Sequence, residues 1–394
     1  MSPGSRALRV IVVGGGIIGC ACAAELARRG VSVTLLERAE LAAGASGRNH
    51  GLVLSPLDPD LVPMARATAE AYDELAKDTP LTLRLDREPV GFLLVAGDDK
   101  DERASGREEA AAAASCGVPV EELDASKIRR LEPGLAHDLV EGWLLDDARR
   151  LDPAALTVAL ALRARRDGAE VRMGAVVRSL LQDGEAVIGV MTDEGGLDGD
   201  VVVLAAGPWT PPLLRTVGVN VPISGARGWL VHLGPERPPL SRVVGRAGWH
   251  IPPKTEPTPL TTASQVVDGP PKANTGSILQ PNADGTLLVG GSRQAVLTNE
   301  PEDLTVPLRL MREAIRLAPV LGDSPVLGAW WGIRPMTPDG RPIVGAVRPG
   351  LVVAAGHGAL GVILGAGTAR LVGSMILGED PPFDPDPFSP ARFG

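Results

Sequence analysis

Aromatic residues and cysteines are scarce in this sequence. Its 394 residues include six Trp, four Phe, one Tyr and three Cys. Cys20 and Cys22 are two positions apart and Cys116 is remote from both, so the chain has neither a CxxC redox motif nor a zinc knuckle. We interpret the three cysteines as small apolar side chains, and we expect no metal site. Such a sparse set suits a reducing cytoplasm.

Positive charge and unbroken apolar runs are also lacking. The 39 Lys and Arg residues are outnumbered by 48 Asp and Glu residues, and the net charge of −9 disfavours nucleic acid or an anionic membrane as a partner. Residues 1–9 lack the apolar core of a signal peptide, and the apolar stretch 351–367 is interrupted by His357 and several glycines. We therefore expect a cytoplasmic globular protein, and the length fits two domains.

The N-terminal region has the pattern of a β-α-β unit. Residues 10–13 form a β-branched run that predicts a buried strand, and helical periodicity extends from about residue 17 to residue 29. Residues 31–37 predict a second buried strand. This order is typical of a parallel sheet with helices packed on its faces.

A GxGxxG motif lies between the first strand and the helix, at Gly14, Gly16 and Gly19. In this context the glycines allow a tight turn, a close pyrophosphate and close helix packing, so the motif predicts dinucleotide binding. Glu37 ends the second strand, where a carboxylate can accept hydrogen bonds from both ribose hydroxyls. The same carboxylate would repel a 2′-phosphate, which disfavours NADP and leaves NAD or FAD.

The rest of the chain alternates between α/β-like and strand-rich segments. Residues 251–277 are rich in Pro, Thr and Gly and predict a long loop, either a lid or an interface arm. The alternation indicates a nucleotide-binding domain that is assembled from separated pieces, with a second domain built from the insertions. We predict helices at 62–78, 98–116 and 152–167, and strands at 81–96, 170–173, 187–191, 201–204, 278–280 and 287–289.

Four further segments carry small residues at places where a backbone can lie against a flat ligand. Residues 43–51 follow the acidic end of the second strand, and residues 201–209 run from a buried strand into Ala-Ala-Gly-Pro-Trp. Near the C-terminus come residues 331–340 and the glycine-rich start of a helix at residues 355–362.

These motifs, in this order and over nearly the whole chain, resemble the FAD-dependent D-amino acid oxidase, glycine oxidase and sarcosine oxidase (DAO) family. The most specific part is Gly332-Ile333-Arg334-Pro335 with Thr337-Pro338-Asp339-Gly340, followed by Gly356-His357 and Gly361. The resemblance implies an α/β fold, α+β overall, with a discontinuous Rossmann-type FAD-binding domain and a second, mainly antiparallel β-sheet domain for the substrate. We expect the FAD-binding domain at 6–80, 146–220 and 336–380, the substrate domain at 81–145 and 221–335, and a tail at 381–394.

The resemblance also implies roles for individual residues. The motif glycines would hold the pyrophosphate, Glu37 the adenosine ribose, and the backbone of Val177 the adenine. The helix start at residues 358–362 would lie beside the pyrimidine edge of the flavin, where a helix N-terminus stabilises the negative charge of reduced flavin. The expected cofactor-binding residues are Gly14, Gly16, Ile17, Ile18, Gly19, Glu37, Arg38, Ser46, Arg48, Asn49, His50, Val177, Ala206, Gly207, Trp209, Gly358, Gly361 and Val362.

Arg334 is the residue that the resemblance assigns to the substrate carboxylate. A guanidinium group is always charged and matches a carboxylate with two parallel hydrogen bonds. We expect Trp249, His250 and Trp331 to line the substrate pocket with it. The candidates for a direct catalytic role are Arg334, His50 and His357.

The sequence departs from the family pattern at several positions. Gly332 stands where the sarcosine oxidase branch has its flavin-linking cysteine, and Arg48 stands where the dimethylglycine branch has a linking histidine, so we expect non-covalent FAD. Leu288 replaces the lysine that favours dioxygen activation, so dioxygen or another acceptor could take the electrons. Tyr72 is the only tyrosine, so the usual tyrosines of the substrate pocket are absent.

The leading hypothesis is an FAD enzyme that removes a hydride from a carbon beside nitrogen in a small amine or carboxylate-bearing substrate and yields an imine. One alternative is oxidation of a hydroxy acid or alcohol, which would need a base such as His50 or His357. Another is a flavin-binding subunit of a multi-subunit dehydrogenase, whose flavin no small substrate bleaches. The oligomeric state is left open.

Non-covalent FAD predicts that acid precipitation releases all of the flavin into the supernatant, because no side chain bonds to the isoalloxazine. The absorbance of the supernatant and of the redissolved pellet measures the partition. Flavin that stays with the pellet would contradict the prediction.

Overall fold

The computed structural model describes residues 7–78, 85–86, 88–236, 239–248, 274–296 and 302–394. Nineteen strands and eight α-helices lie in this part of the chain. The strands are β1 (Arg9–Val13), β2 (Ser32–Glu37), β3 (Leu52–Val53), β4 (Phe92–Ala96), β5 (Val120–Asp124), β6 (Glu141–Leu145), β7 (Arg149–Arg150), β8 (Glu170–Met173), β9 (Val177–Asp183), β10 (Ala186–Thr192), β11 (Gly195–Asp198), β12 (Val201–Leu204), β13 (Ser224–Leu233), β14 (Val243–Arg246), β15 (Asn274–Pro281), β16 (Leu287–Val296), β17 (Val326–Met336), β18 (Ile343–Arg348) and β19 (Leu351–Ala355). The helices are α1 (Ile17–Arg28), α2 (Val62–Asp78), α3 (Lys100–Ser115), α4 (Ala125–Leu131), α5 (Pro153–Arg166), α6 (Thr210–Arg215), α7 (Thr305–Leu317) and α8 (Gly361–Leu377).

A six-stranded sheet in the order β18-β19-β12-β1-β2-β8 carries the predicted β-α-β unit. Its strands are parallel except for β18, which is antiparallel to β19. Val10 and Val12 of β1 face a core formed with α1, α5 and α8, whereas Ile11 and Val13 face a core shared with β9 and β10. A strand buried on both faces explains why residues 10–13 are uniformly β-branched.

The second large sheet has eight strands, in the order β17-β13-β16-β15-β14-β4-β6-β5. All of its neighbouring pairs are antiparallel except β14 with β4. Val306, Leu310, Ala314 and Leu317 lie on one stripe of α7 and are buried against one face of this sheet. The expected α/β fold, with a Rossmann-type parallel sheet and a mainly antiparallel second sheet, is confirmed.

Most of the predicted elements are present within a residue or two of their expected bounds. Helix α5 begins as predicted, because Asp152 accepts hydrogen bonds from the amides of Ala154 at 3.0 Å and Ala155 at 2.9 Å. In the predicted strand at 81–96, the described residues are extended in a strand only at Phe92–Ala96, and residues 81–84 and 87 lie outside the described part.

The prediction of a long loop at 251–277 is wrong at its C-terminal end. Strand β15 already begins at Asn274, where the sequence shows no apolar alternation, because this part of β15 pairs with Ser292 and Arg293 of β16. Residues 251–273 of that prediction lie outside the described residues. In the ranges that the structure describes, no helix is long and apolar enough to cross a membrane.

His357 lies in the core between β19 and α8. Its imidazole is 2% exposed, and Nε2 is 2.9 Å from the hydroxyl of Thr368 on α8. Burial lowers the pKa of His357 to about 3, so the ring is neutral at neutral pH.

A buried neutral histidine makes the fold sensitive to acid. The pKa of His357 is about 3 in the folded state and about 6.5 in an unfolded chain, so the unfolded state binds more protons between these pH values. The free energy of unfolding should therefore fall with decreasing pH below about 6.5, by about 1.4 kcal/mol per pH unit for this group.

His357→Gln should remove that contribution. Urea unfolding at pH 6, 5 and 4 should show a shallower pH dependence for the variant than for the parent protein, and His137→Gln, at an exposed position, serves as the control. Equal slopes for all three proteins would refute a neutral, buried His357.

Candidate active site

The glycine turn after β1 is shaped to admit a ligand. Gly14 has φ of +113°, and a Cβ at this position would lie 2.5 Å from the carbonyl oxygen of Ala205. Helix α1 begins at Ile17 after Gly16, which provides no side-chain cap, and the first turn contains no acidic residue. The N-terminus of α1 is thus a positively polarised end that suits a pyrophosphate.

Glu37 lies beside this turn at the end of β2. Its Oε2 accepts a hydrogen bond from the amide of Gly15 at 2.6 Å, and its Oε1 accepts one from the amide of Ala39 at 2.8 Å. The carbonyl oxygen of Glu37 accepts from the amide of Ala175 at 2.9 Å, which brings the start of β9, Val177, to the same edge. The candidate ribose and adenine residues therefore lie together at the carboxyl ends of the parallel strands.

The N-terminus of α8 lies close to the N-terminus of α1. Helix α8 starts at Gly361, again with no side-chain cap and no acidic residue in its first turn. A Cβ on Gly361 would lie 3.8 Å from the side chain of Ile17 at the start of α1. The amide of Gly358 donates to the carbonyl oxygen of Pro335 at 2.8 Å and connects this helix start to β17. Two positive helix ends thus converge on one place.

The segment at residues 43–51, which we call the linking turn, borders the start of α1. The hydroxyl of Ser46 accepts a hydrogen bond from the amide of Ile17 at 2.9 Å. Asn49 donates from Nδ2 to the carbonyl oxygens of Ala45 and Ser46, both at 2.9 Å, and accepts from the amide of Gly51 at 2.7 Å. The Asn49 side chain is therefore engaged in holding the turn.

The linking turn also contacts the eight-stranded sheet. Arg48 donates from Nε to the carbonyl oxygen of Ala43 at 2.8 Å and from a terminal nitrogen to the carbonyl oxygen of Trp331 at 3.3 Å. The carbonyl oxygen of His50 accepts from Nε2 of Gln280 at 2.8 Å. The turn thereby joins the start of α1 to strands β15 and β17.

Arg38 and Trp209 border the same region. The Arg38 guanidinium lies 3.8 Å from the centre of the Trp209 ring, a cation–π contact between the end of β2 and the segment after β12. Ala206 and Gly207 precede Trp209 in a short 3-10 turn at Gly207–Trp209. This contact places the small residues after β12 next to those after β2.

His50 lies with its ring against Gly290 and Leu230 of the eight-stranded sheet. Burial, and next the positive charge of Arg334, lower the pKa of His50 to about 3, although a contact with the Gln280 side chain acts in the opposite direction. A group with such a pKa is a weak proton acceptor at neutral pH. The predicted acid/base function of His50 is therefore disfavoured by its surroundings, and the burial of His357 disfavours that function there in the same way.

Arg334 lies on β17 against Gly228 of β13. It donates to the carbonyl oxygen of Ser292 at 3.1 Å, and within the described residues it forms no ion pair. Burial, followed by the charge of Arg293, lowers the pKa of Arg334 to about 10, which still leaves it charged at neutral pH. A half-buried guanidinium without a carboxylate partner among the described residues is suited to bind a carboxylate from solution.

The pleat of β17 places Trp330 and Trp331 on opposite faces of the sheet. Trp331 donates from Nε1 to Glu302 at 2.8 Å and lies under the guanidinium of Arg227 at 4.6 Å, on the sheet face that α7 covers. Trp330 lies on the opposite face with Arg334, and its buried indole N–H has no hydrogen-bond partner in the described ranges. Successive strand residues point to opposite faces, so Trp330, and not Trp331, shares the sheet face of Arg334.

Two other predicted pocket residues, Trp249 and His250, lie outside the described residues. Sequence reasoning missed Trp330, Gln280 and Arg293. The first two could not be chosen without knowing strand pairing, and the only signal for the third is the Gly290-Gly291 pair, which is typical of an irregular strand.

FAD suits the residues that are present. The glycine turn is open, both converging helix ends are uncapped and free of acidic residues, and Glu37 lies where a ribose would follow. Gly332 on β17 faces the linking turn, and a Cβ there would lie 3.1 Å from Cβ of Arg48. Among the described side chains, no group of His, Cys, Asp and Glu is arranged to hold a metal ion.

Known proteins agree with this geometry. A model of the "FAD dependent oxidoreductase" family, DAO, matches residues 9–375. The chain is 32% identical over 98% of its length to the bifunctional protein ThiO/ThiG of Synechocystis, of which it spans 54%, and 29% identical over 97% of its length to glycine oxidase of Pseudomonas aeruginosa, of which it spans 98%. The crystal structure of glycine oxidase from Geobacillus kaustophilus superposes with a TM-score of 0.81 at 26% identity, over 97% of this chain and 98% of that one. The chain therefore belongs to the DAO family of FAD-dependent oxidoreductases, and its cofactor is FAD.

Proposed function

We propose that this enzyme oxidises the C–N bond beside a carboxylate in a small amine or amino acid. The observation that carries the proposal is Arg334, a half-buried cation with no carboxylate partner among the described residues, on the sheet face that meets the linking turn. The similarity to glycine oxidase of Pseudomonas aeruginosa supports the same chemistry.

In the proposed reaction, Arg334 binds the substrate carboxylate with two hydrogen bonds and so directs the adjacent C–H bond at the cofactor. Bound FAD supplies the acceptor for the hydride and its electron pair. The amine nitrogen loses its proton to solvent, a C=N bond forms, and water can hydrolyse the resulting imine. The amine reacts in its neutral form, so no side-chain base is required.

The low pKa values of His50 and His357 favour this reaction over oxidation of a hydroxy acid. Removal of a hydride from an alcohol needs a base that takes the hydroxyl proton, and neither buried imidazole is a strong one. Trp330 and Gln280 would border the substrate on the same sheet face.

We propose that one part of the chain binds FAD and the other binds the substrate. The FAD-binding part comprises residues 6–80, 146–220 and 336–380, and the substrate part comprises residues 81–145 and 221–335. The predicted cofactor residues contribute through the glycine turn, Glu37, Val177 and the start of α8. With FAD bound, dioxygen or another acceptor would take up the electrons. A cytoplasmic location remains a prediction from the sequence.

Anaerobic titration tests the reaction class. The purified protein should show the flavin band at about 450 nm, and amino acids or small amines with a carboxylate should bleach it. Hydroxy acids of the same size should leave the band unchanged. Bleaching by hydroxy acids alone, or by none of these compounds, would contradict amine oxidation and favour the alternative reaction or the subunit hypothesis.

Substitution of Arg334 tests its contact with the substrate. Arg334→Ala should raise KM strongly, since loss of one partner of a desolvated charge pair costs about 2–5 kcal/mol of binding. Arg334→Lys should recover part of the binding, and Arg129→Gln, at an exposed position on α4, should behave as the parent. An Arg334→Ala enzyme with full flavin content and an unchanged KM would contradict this assignment.

A further inference from the structure

Strand β16 is irregular where it faces the site. Gln294 pairs with Arg227 and Val289 pairs with Val231, so the three residues between the partners on β13 face four on β16. Gly291 within this stretch has φ of +108°, and the amide of Trp229 donates to the hydroxyl of Ser292 at 2.7 Å. The extra residue makes a β-bulge that Ser292 holds in place.

The bulge changes which side chains of β16 face the pocket. On one side of it, Gly290 faces the ring of His50. On the other side, Ala295 pairs with Ala226, which lies on the same face of β13 as Gly228. The guanidinium of Arg334, from β17, packs against Gly228 on this face. Arg293, two residues from Ala295, shares that face, whereas a regular strand would turn it toward α7.

Arg293 therefore brings a second cation to Arg334. Its charge is one of the two causes that lower the pKa of Arg334, and burial lowers the pKa of Arg293 as well. Other partly buried arginines of the described chain have carboxylate partners, such as Arg150 with Asp86 at 2.7 Å. Within the described ranges neither Arg293 nor Arg334 forms an ion pair.

Two partly desolvated cations that repel each other oppose folding unless anions compensate them. One substrate carboxylate would neutralise Arg334 and leave Arg293 without a partner. The FAD pyrophosphate, the other anion expected here, belongs at the glycine turn at the start of α1. Among the described residues, the two cations therefore lack one further anionic group.

We infer that the substrate is a dicarboxylic amino or imino acid, with one carboxylate beside the reacting C–N bond on Arg334 and a second carboxylate on Arg293. This inference rests on the proposed amine oxidation and names its substrate class. The second carboxylate belongs either to the side chain of an acidic amino acid or to a carboxymethyl group on the nitrogen.

Matched pairs of an acid and its monoamide measure the contribution of the second carboxylate alone. The pairs are aspartate with asparagine and glutamate with glutamine, in both configurations, and N-(carboxymethyl)glycine with its monoamide. In at least one pair the acid should have a kcat/KM about tenfold or more above that of its amide, because only the acid pairs with Arg293.

Variants of Arg293 connect this preference to the residue. Arg293→Gln should lower the acid-to-amide ratio of kcat/KM about tenfold or more, to near one, and Arg293→Lys should restore part of it. Arg129→Gln removes the same charge from an exposed position and should leave the ratio unchanged. A ratio that is unaffected by Arg293→Gln would overturn the inference.

Binding of a non-reacting ligand gives a readout that does not depend on turnover. Succinate should perturb the flavin spectrum of the holoenzyme with a lower Kd than succinamate, and Arg293→Gln should abolish the difference. Equal Kd values in the parent enzyme would also overturn the inference. If no amine bleaches the flavin, the proposed reaction fails; if monocarboxylic amino acids bleach it and no acid is preferred over its amide, only the dicarboxylic substrate fails.

Discussion

The linking turn is the element on which the geometry of the site depends. Ser46 accepts a hydrogen bond from the first residue of α1, Arg48 reaches the backbone of Trp331 on β17, and His50 binds Gln280 on β15. One turn of the chain thus spans from the glycine cradle to the sheet that carries Arg334. Asn49 makes three hydrogen bonds within the turn, and these stabilise its conformation.

The electrostatics of the site follow from burial on both sides of that turn. Helix ends without acidic residues lie on one side of the turn, and Arg334 and Arg293, which we propose bind substrate, lie on the other. His50 lies between them and is kept neutral by burial and by Arg334. A region of this kind is costly for the free protein and favourable for anionic ligands, so the binding of cofactor and substrate supplies compensation that the described side chains do not.

Local patterns explain why so much of the fold could be predicted. The strand at Arg9–Val13, the helix that begins at Ile17 and the Asp152 cap each depend on residues within one or two turns of chain. The polar start of β15 at Asn274 could not be predicted, because its extended backbone is stabilised by pairing with β16 rather than by its own composition. Strand β17 carries Arg334 on the same sheet face as Gly332, which meets the linking turn, and its assignment to the substrate stays a prediction.

The sequence by itself determined the glycine turn, the acidic end of β2 and the position of Arg334 in its motif, since these features depend on local spacing. Only the tertiary structure decided that Trp330 shares a sheet face with Arg334 while Trp331 lies on the other, that both candidate histidines are neutral, and that Arg293 joins Arg334. Each of these depends on strand register, on a bulge or on burial, and those are set by contacts between segments that lie far apart in the chain.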